Sequence, residues 1–229
     1  MSSERAKKAW EEVAALQQYK DSDVVAMGPH TSYQYRTDPK HLCFVLSRYK
    51  FCAKLLGGRN SVLEVGCGDA FGTPLVAQAV KNVVGIDWDE RLIASTRERQ
   101  SHLTNCEFRQ CDIIETMPFD RSFDAVYSLD VLEHIDPNVE ENFMRNCCES
   151  LNDKGILIIG TPNETAAAYA SPSSQIGHIN LKNASSLQGL LSTYFETTFL
   201  FGMNDEVVHT GFLNMAHYLF GVGLGVKRH

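Results

Sequence analysis

From Glu64 the chain reads Glu-Val-Gly-Cys-Gly-Asp-Ala-Phe-Gly, following the short apolar run Ser61-Val62-Leu63. Glycines at 66, 68 and 72 let a backbone turn tightly and approach a ligand closely. Their spacing is G-x-G-x-x-x-G, with the third glycine one residue later than the dinucleotide fingerprint requires. Asp87 ends the next apolar run, 21 residues after Gly66. A carboxylate in that position can accept hydrogen bonds from both hydroxyls of a ribose. The P-loop pattern G-x-x-x-x-G-K-[ST] occurs nowhere, which excludes that form of phosphoryl chemistry.

The seven cysteines offer no framework. Cys43, Cys52, Cys67, Cys106, Cys111, Cys147 and Cys148 are odd in number and contain no C-x-x-C pair. A zinc or disulfide scaffold is not expected. They read as small buried hydrophobes in a reducing compartment, and Cys67 and Cys111 have no base nearby in sequence to make them nucleophiles.

The elements that must position these residues follow from periodicity. Residues 4–20 have helical apolar spacing through Ala6, Trp10, Val13 and Leu16, while residues 21–37 read as a polar loop. Asp38-Pro39 should open a second helix whose apolar face runs from Leu42 to Leu56. Strands are expected at 61–65, 83–86, 107–110, 123–129, 156–159, 197–203 and about 216–227. Helices are expected at 73–81, from Asp89 to about 101, from Asp136-Pro137, and at 185–194. Alternating strands and helices predict an α/β fold with a mostly parallel sheet covered on both faces. The 229 residues read as one domain, with a helical N-terminal extension at 1–58 and a core at 59–229.

With 44% hydrophobic and 21% charged residues the composition is that of a globular protein. The net charge of −7 weighs against nucleic-acid binding, which relies on neutralising phosphates. No secretory leader or membrane span is expected, and the sequence reading is cytoplasmic, monomer or homodimer.

Four segments, in order, resemble the successive motifs of class I S-adenosylmethionine (SAM)-dependent methyltransferases. They are Val62-Leu63-Glu64-Val65-Gly66-Cys67-Gly68; Gly85-Ile86-Asp87; Phe123-Asp124-Ala125-Val126 with Leu132-Glu133-His134-Ile135; and Gly155-Ile156-Leu157. The nearest likeness is to small-molecule enzymes of ubiquinone biosynthesis and sugar tailoring. The resemblance implies a Rossmann-like seven-stranded sheet with its last strand antiparallel, and SAM as cofactor, leaving as S-adenosylhomocysteine (SAH). It also implies roles. Glu64 orients the glycine loop, and Gly66, Cys67, Gly68 and Asp69 lie at the cofactor. Asp87 takes the ribose, Trp88 packs on the adenine, and Asp112 with Ile113 reads the adenine amino group. Leu129 and Asp130 sit beside the reacting sulfur. An N-terminal arm carrying Tyr33, Tyr35 and Arg36 would close over the cofactor, with Arg36 on its carboxylate and the aromatic faces toward the sulfonium.

For a hydroxyl acceptor the resemblance makes His178 the general-base candidate, within a substrate loop at 161–184. His134 lies beside the expected methyl position, as a base or as a loop-orienting hydrogen bond, and His209 is a second alternative. No compact His/Asp/Glu ligand cluster is visible in the sequence, so no metal is expected. The segment Ser128-Leu129-Asp130-Val131 lacks the Asn/Asp-Pro-Pro-aromatic tetrad of DNA-base amino-methyltransferases. The expected acceptor is therefore the hydroxyl or amine of a small molecule. An NAD-dependent oxidoreductase on the same architecture and a non-catalytic SAM-binding subunit are the rival readings.

Overall fold

The computed structural model describes residues 3–17, 24–116 and 119–228. Its elements are α1 (Ser3–Gln17), α2 (Pro29–Thr37), α3 (His41–Leu56), β1 (Ser61–Val65), α4 (Thr73–Ala77), β2 (Asn82–Asp87), α5 (Glu90–Arg99), β3 (Cys106–Gln110), β4 (Phe123–Leu129), α6 (Glu140–Ser150), β5 (Leu151–Pro162), α7 (Pro172–Gly177), α8 (Ala184–Tyr194), β6 (Phe195–Asn204), β7 (Val207–His209) and β8 (Tyr218–Val226).

These strands form one sheet in the order β3-β2-β1-β4-β5-β8-β6-β7. β1 to β5 pair in parallel, while β8 inserts antiparallel between β5 and β6. The last strand is antiparallel, as expected. There are eight strands rather than seven, because the short β7 adds a hairpin edge to β6.

Period-two alternation sends β1 to both faces. Leu63 and Val65 pack with Phe143, Cys147, Leu187 and Leu191 of α6 and α8. Val62 faces Tyr49, Cys52, Leu56 and Val76 of α3 and α4. The β-branched run Ile156–Ile159 lies between the two layers, with Ile156 and Ile158 on one side and Leu157 and Ile159 on the other. The chain leaves β1 toward β2 and β3, then returns to the opposite side for β4 and β5. Such a reversal opens a crevice outside the carboxyl ends of the strands, where ligands bind in folds of this kind.

Three local expectations are corrected. Residues 29–37 are helical, not loop. Pro29 occupies the first helical position, and the Thr31 N–H in the first turn donates to Asp69 Oδ2 at 2.7 Å. That cap comes from 38 residues downstream, so no local pattern reveals it. Asp38 closes α2, and α3 starts only at His41. Asp136 accepts the Asn138 N–H at 2.8 Å and so closes a turn, which delays α6 to Glu140. The 161–184 segment also holds the short helix α7.

The amphipathic helix expected at 4–20 is present as α1, but none of its residues is buried and Trp10 is 69% exposed. Residues 18–20 of that expectation lie outside the described residues. All seven cysteines are free thiols. No helix among the described residues is long and apolar enough to cross a membrane.

Candidate active site

Beyond the carboxyl ends of β1, β2 and β4 lies a cavity of about 940 Å³. One end is built largely by backbone. Gly66 and Gly68 take φ of 76° and 49°. A Cβ on Gly66 would stand 2.2 Å from Val131 Cγ2, so both the turn and the close packing require glycine. α5 and the Gln100 that caps its end then grip the loop by its carbonyls: Thr96 Oγ1 donates to Gly68 O, Arg99 Nη1 to Asp69 O and Gln100 Nε2 to Ala70 O, each at 3.1 Å.

Asp87 ends β2 at the loop. Its Oδ2 accepts the Gly68 N–H and its Oδ1 the Asp89 N–H, both at 2.9 Å. An ionised carboxylate accepts about four hydrogen bonds, so two places remain for a ligand. Asp112 Oδ1 accepts the Ile114 N–H at 2.9 Å, and Asp112 and Ile113 both line the cavity. Trp88 stands at the rim, 70% exposed.

Glu64 lies behind this wall rather than in it. Alternation along β1 turns it toward α3, where it is 1% exposed. Tyr49 Oη donates to its Oε1 at 2.9 Å and Thr73 Oγ1 to its Oε2 at 2.7 Å. Burial pushes its carboxyl up to about 7. These bonds run to α3 and to the helix after the glycine loop, not to the loop itself.

The other end is built by side chains. Asp130 has φ of 58°, and Arg48 Nη1 donates to both its oxygens at 2.8 and 2.7 Å. The same guanidinium lies 4.0 Å from the centre of the Tyr218 ring. Glu133, 1% exposed, accepts from Thr161 Oγ1 at 3.2 Å. Burial, then the Asp130 charge, push its carboxyl above the usual range. Its backbone carbonyl receives the N–H groups of Ile179 and Asn180 at 2.9 and 3.0 Å, which draws the 177–180 turn over the site.

There His134 Nδ1 donates to Gly177 O at 2.9 Å, and the His134 and His178 rings meet edge to face, 5.1 Å apart. Burial and the neighbouring His134 lower the His178 imidazole. Donor atoms of Glu133, His134 and His178 all lie within 4.8 Å of one another. The expectation that no compact ligand set exists is thus corrected. His178 is 44 residues from His134 in sequence, and only the fold brings the three together.

Of the residues expected at the site, Gly66, Cys67, Gly68, Asp69, Asp87, Trp88, Asp112, Ile113, Leu129, Asp130, His134 and His178 line this one cavity. Glu64 does not. Tyr33 and Arg36 also lie outside the lining; on the same helix His30, Thr31 and Gln34 line it instead, while Tyr33, Tyr35 and Arg36 are exposed. His209 is absent from the lining too, its Nδ1 accepting the Gly211 N–H at 3.0 Å.

Sequence reading missed Arg48 and gave Glu133 no role. Arg48 falls three residues after Val45 and four before Cys52, within the buried stripe of α3. A charge on such a stripe signals a buried partner. Glu133 gives the same signal beside Leu132 and Ile135, both buried.

Residues 62–155 match the family model described as a methyltransferase domain. A Mycobacterium tuberculosis protein named "Probable S-adenosylmethionine-dependent methyltransferase" is 34% identical over 104 residues, 45% of this chain and 36% of that one. A ubiquinone biosynthesis O-methyltransferase of Rickettsia felis is 33% identical over 142 residues, 59% of this chain and 54% of that one. The chain therefore spans about a third to a half of the length of the curated relatives it matches. Among solved structures, N-methyltransferase NodS of Bradyrhizobium japonicum WM9 in complex with SAH superposes with a TM-score of 0.60 at 18% identity, over 84% of this chain and 91% of that one. Fold, glycine loop, strand-end acids and matched relatives converge: residues 62–155 match a methyltransferase-domain model, and the sheet that carries them has the fold of SAM-dependent methyltransferases.

Proposed function

We propose that this chain transfers a methyl group from SAM to a hydroxyl or amine of a small molecule. One observation carries the reading. The glycine loop with Asp87 and the Glu133/His134/His178 group face each other across a single cavity. The residues fit the cofactor: Gly68 leaves open space, with nothing within 4 Å of where its Cβ would stand, Asp87 keeps unused acceptor capacity, and the cavity lies in the size range of cofactor sites. SAM, when bound, supplies an activated methyl group on a sulfonium.

The chain's own residues do the rest. Gly66, Cys67 and Gly68 receive the amino-acid portion, and Asp87 takes the ribose hydroxyls. Asp112, Ile113 and Trp88 bound the adenine end, while Leu129 and Asp130 face the sulfur. Positioning of this kind supplies most of the rate, because the reaction needs in-line approach of the acceptor at contact distance. Glu133, His134 and His178 activate the acceptor where its proton must leave. Among the polar groups lining the cavity, Gln34 and Ser173 suit a hydroxyl-bearing acceptor such as a sugar. The O-methyltransferase relative supports an oxygen acceptor. The free cysteines support a reducing compartment such as the cytoplasm.

Calorimetric titration with SAM, SAH and NAD tests the reading. SAM and SAH should bind at one equivalent and NAD should not. Binding of NAD without SAM or SAH would replace this function with hydride transfer.

A further inference from the structure

We infer that α1 joins two copies of this chain, pairing antiparallel with α1 of a second copy through its Trp10 face. This pairing is independent of the function proposed above.

The helix has an apolar face with no cover among the described residues. Ala6, Trp10 and Val13 recur at steps of four and three, so they share one side, with Ala9 and Leu16 at its edge. None of its 15 residues is buried, and Trp10 and Leu16 are 69% and 84% exposed. A helix of this length is marginal in water by itself, and amphipathic helices draw most of their stability from packing.

The order of charges indicates what packs there. Glu4, Arg5, Lys7 and Lys8 precede Trp10, so that half of the helix is basic. Glu11 and Glu12 follow it, and no cation does within the helix. That order is poor for a helix standing alone. Cations in the first turns oppose the helix dipole, and Lys four residues before Glu is the weaker of the two arrangements. No ion pair joins any of these six side chains among the described residues. In an antiparallel pair the same order is favourable, because the basic half of each helix lies along the acidic half of the other.

Helix periodicity sharpens the fit. Arg5 and Glu12 flank one side of the apolar face, and Lys7 and Glu11 flank the other. A two-fold axis between antiparallel helices brings each flank against the same flank of its mate. Arg5 then meets Glu12 of the second copy and Lys7 meets Glu11 of the second copy, and each pair occurs twice. The register that makes these pairs sets Trp10 on Ala6 of the second copy, a large ring against a small side chain. A parallel pair would instead set Arg5 against Lys7 and Glu12 against Glu11, like charge against like. Two helices of this length bury a small interface, so the dimer should form at micromolar rather than nanomolar concentration.

Sedimentation of the whole chain between about 1 and 200 µM is the test. Monomer should convert to dimer across that range. Trp10→Ala should weaken the dimer roughly tenfold or more. The double variant Arg5→Glu with Lys7→Glu makes α1 mainly acidic, and Glu11→Lys with Glu12→Lys makes it mainly basic. Each should self-associate roughly tenfold more weakly than the wild type, and an equimolar mixture of the two should dimerise as the wild type does. Circular dichroism of each variant checks the fold, which substitutions at these exposed positions should leave intact. A chain that stays monomeric throughout would overturn the proposal. So would a dimer that Trp10→Ala leaves unaltered, since the contact would then lie elsewhere. Charge-reversed variants that self-associate as well as the wild type, or a mixture that fails to recover, would overturn the antiparallel pairing.

Discussion

The two ends of the cavity are built by different means. At the cofactor end a short stretch of chain does nearly everything. Gly66 to Ala70 form the turn, their carbonyls are held by α5 and its cap Gln100, and one acid ends each of β2 and the segment after β3. At the acceptor end, side chains from α3, the turn after β4 and the turn after α7 meet across large sequence separations. A backbone-built site tolerates side-chain exchange, because main-chain geometry persists. A site built from converging charges depends on each member, because removing one leaves its partner buried and alone.

That contrast can be broken from either side, and the acceptor end should show the largest effect. Arg48→Met takes away the guanidinium on Asp130 and should cost about 3–4 kcal/mol of stability, read by urea unfolding. A loss below about 1 kcal/mol would mean that charge pairing does not hold this end together.

Glu64, behind the wall, should show a pH-dependent effect of about 3 kcal/mol. Its folded carboxyl is raised from 4.5 to about 7. Between those values the folded chain keeps a proton that the unfolded chain has released, so stability falls as pH rises through that window. Glu64→Gln removes the titration. The stability gap should therefore move about 3 kcal/mol in the variant's favour from pH 4 to pH 8. A gap that stays constant across that range would contradict the raised carboxyl.

At the cofactor end Asp87→Ala should lower SAH affinity by roughly 30-fold, about 2 kcal/mol, since the loop backbone remains to receive the rest of the ligand. A change of less than about threefold by calorimetry would remove Asp87 from the ribose role.

The same contrast explains what the sequence disclosed. The glycine loop, Asp87, the strands β1 to β5 and the α5 cap at Asp89 are local patterns, with geometry set within a few residues. Reading them needs only spacing and turn chemistry. The Glu133/His134/His178 group was only half legible: two of its members adjoin in sequence, and the third arrives from 44 residues away. Arg48 carried a signal, a charge on an apolar stripe, but its partner could not be named without the crossing of α3 over β4. Glu64 was placed near the cofactor by its neighbours, and strand alternation turns it the other way. Residues 29–37 failed as a loop assignment for a related reason, since the group that caps their helix belongs to the core.

That cap has a consequence for the order in which the molecule assembles. Thr31 is synthesised before its cap: the carboxylate that its amide needs arrives 38 residues later, in a loop whose carbonyl at Asp69 is held by Arg99 of α5. The first turn of α2 thus lacks its cap until residue 69 has been made and placed. The wall of the cavity that holds His30 and Gln34 is therefore tied to the glycine loop by a bond that neither segment can make alone.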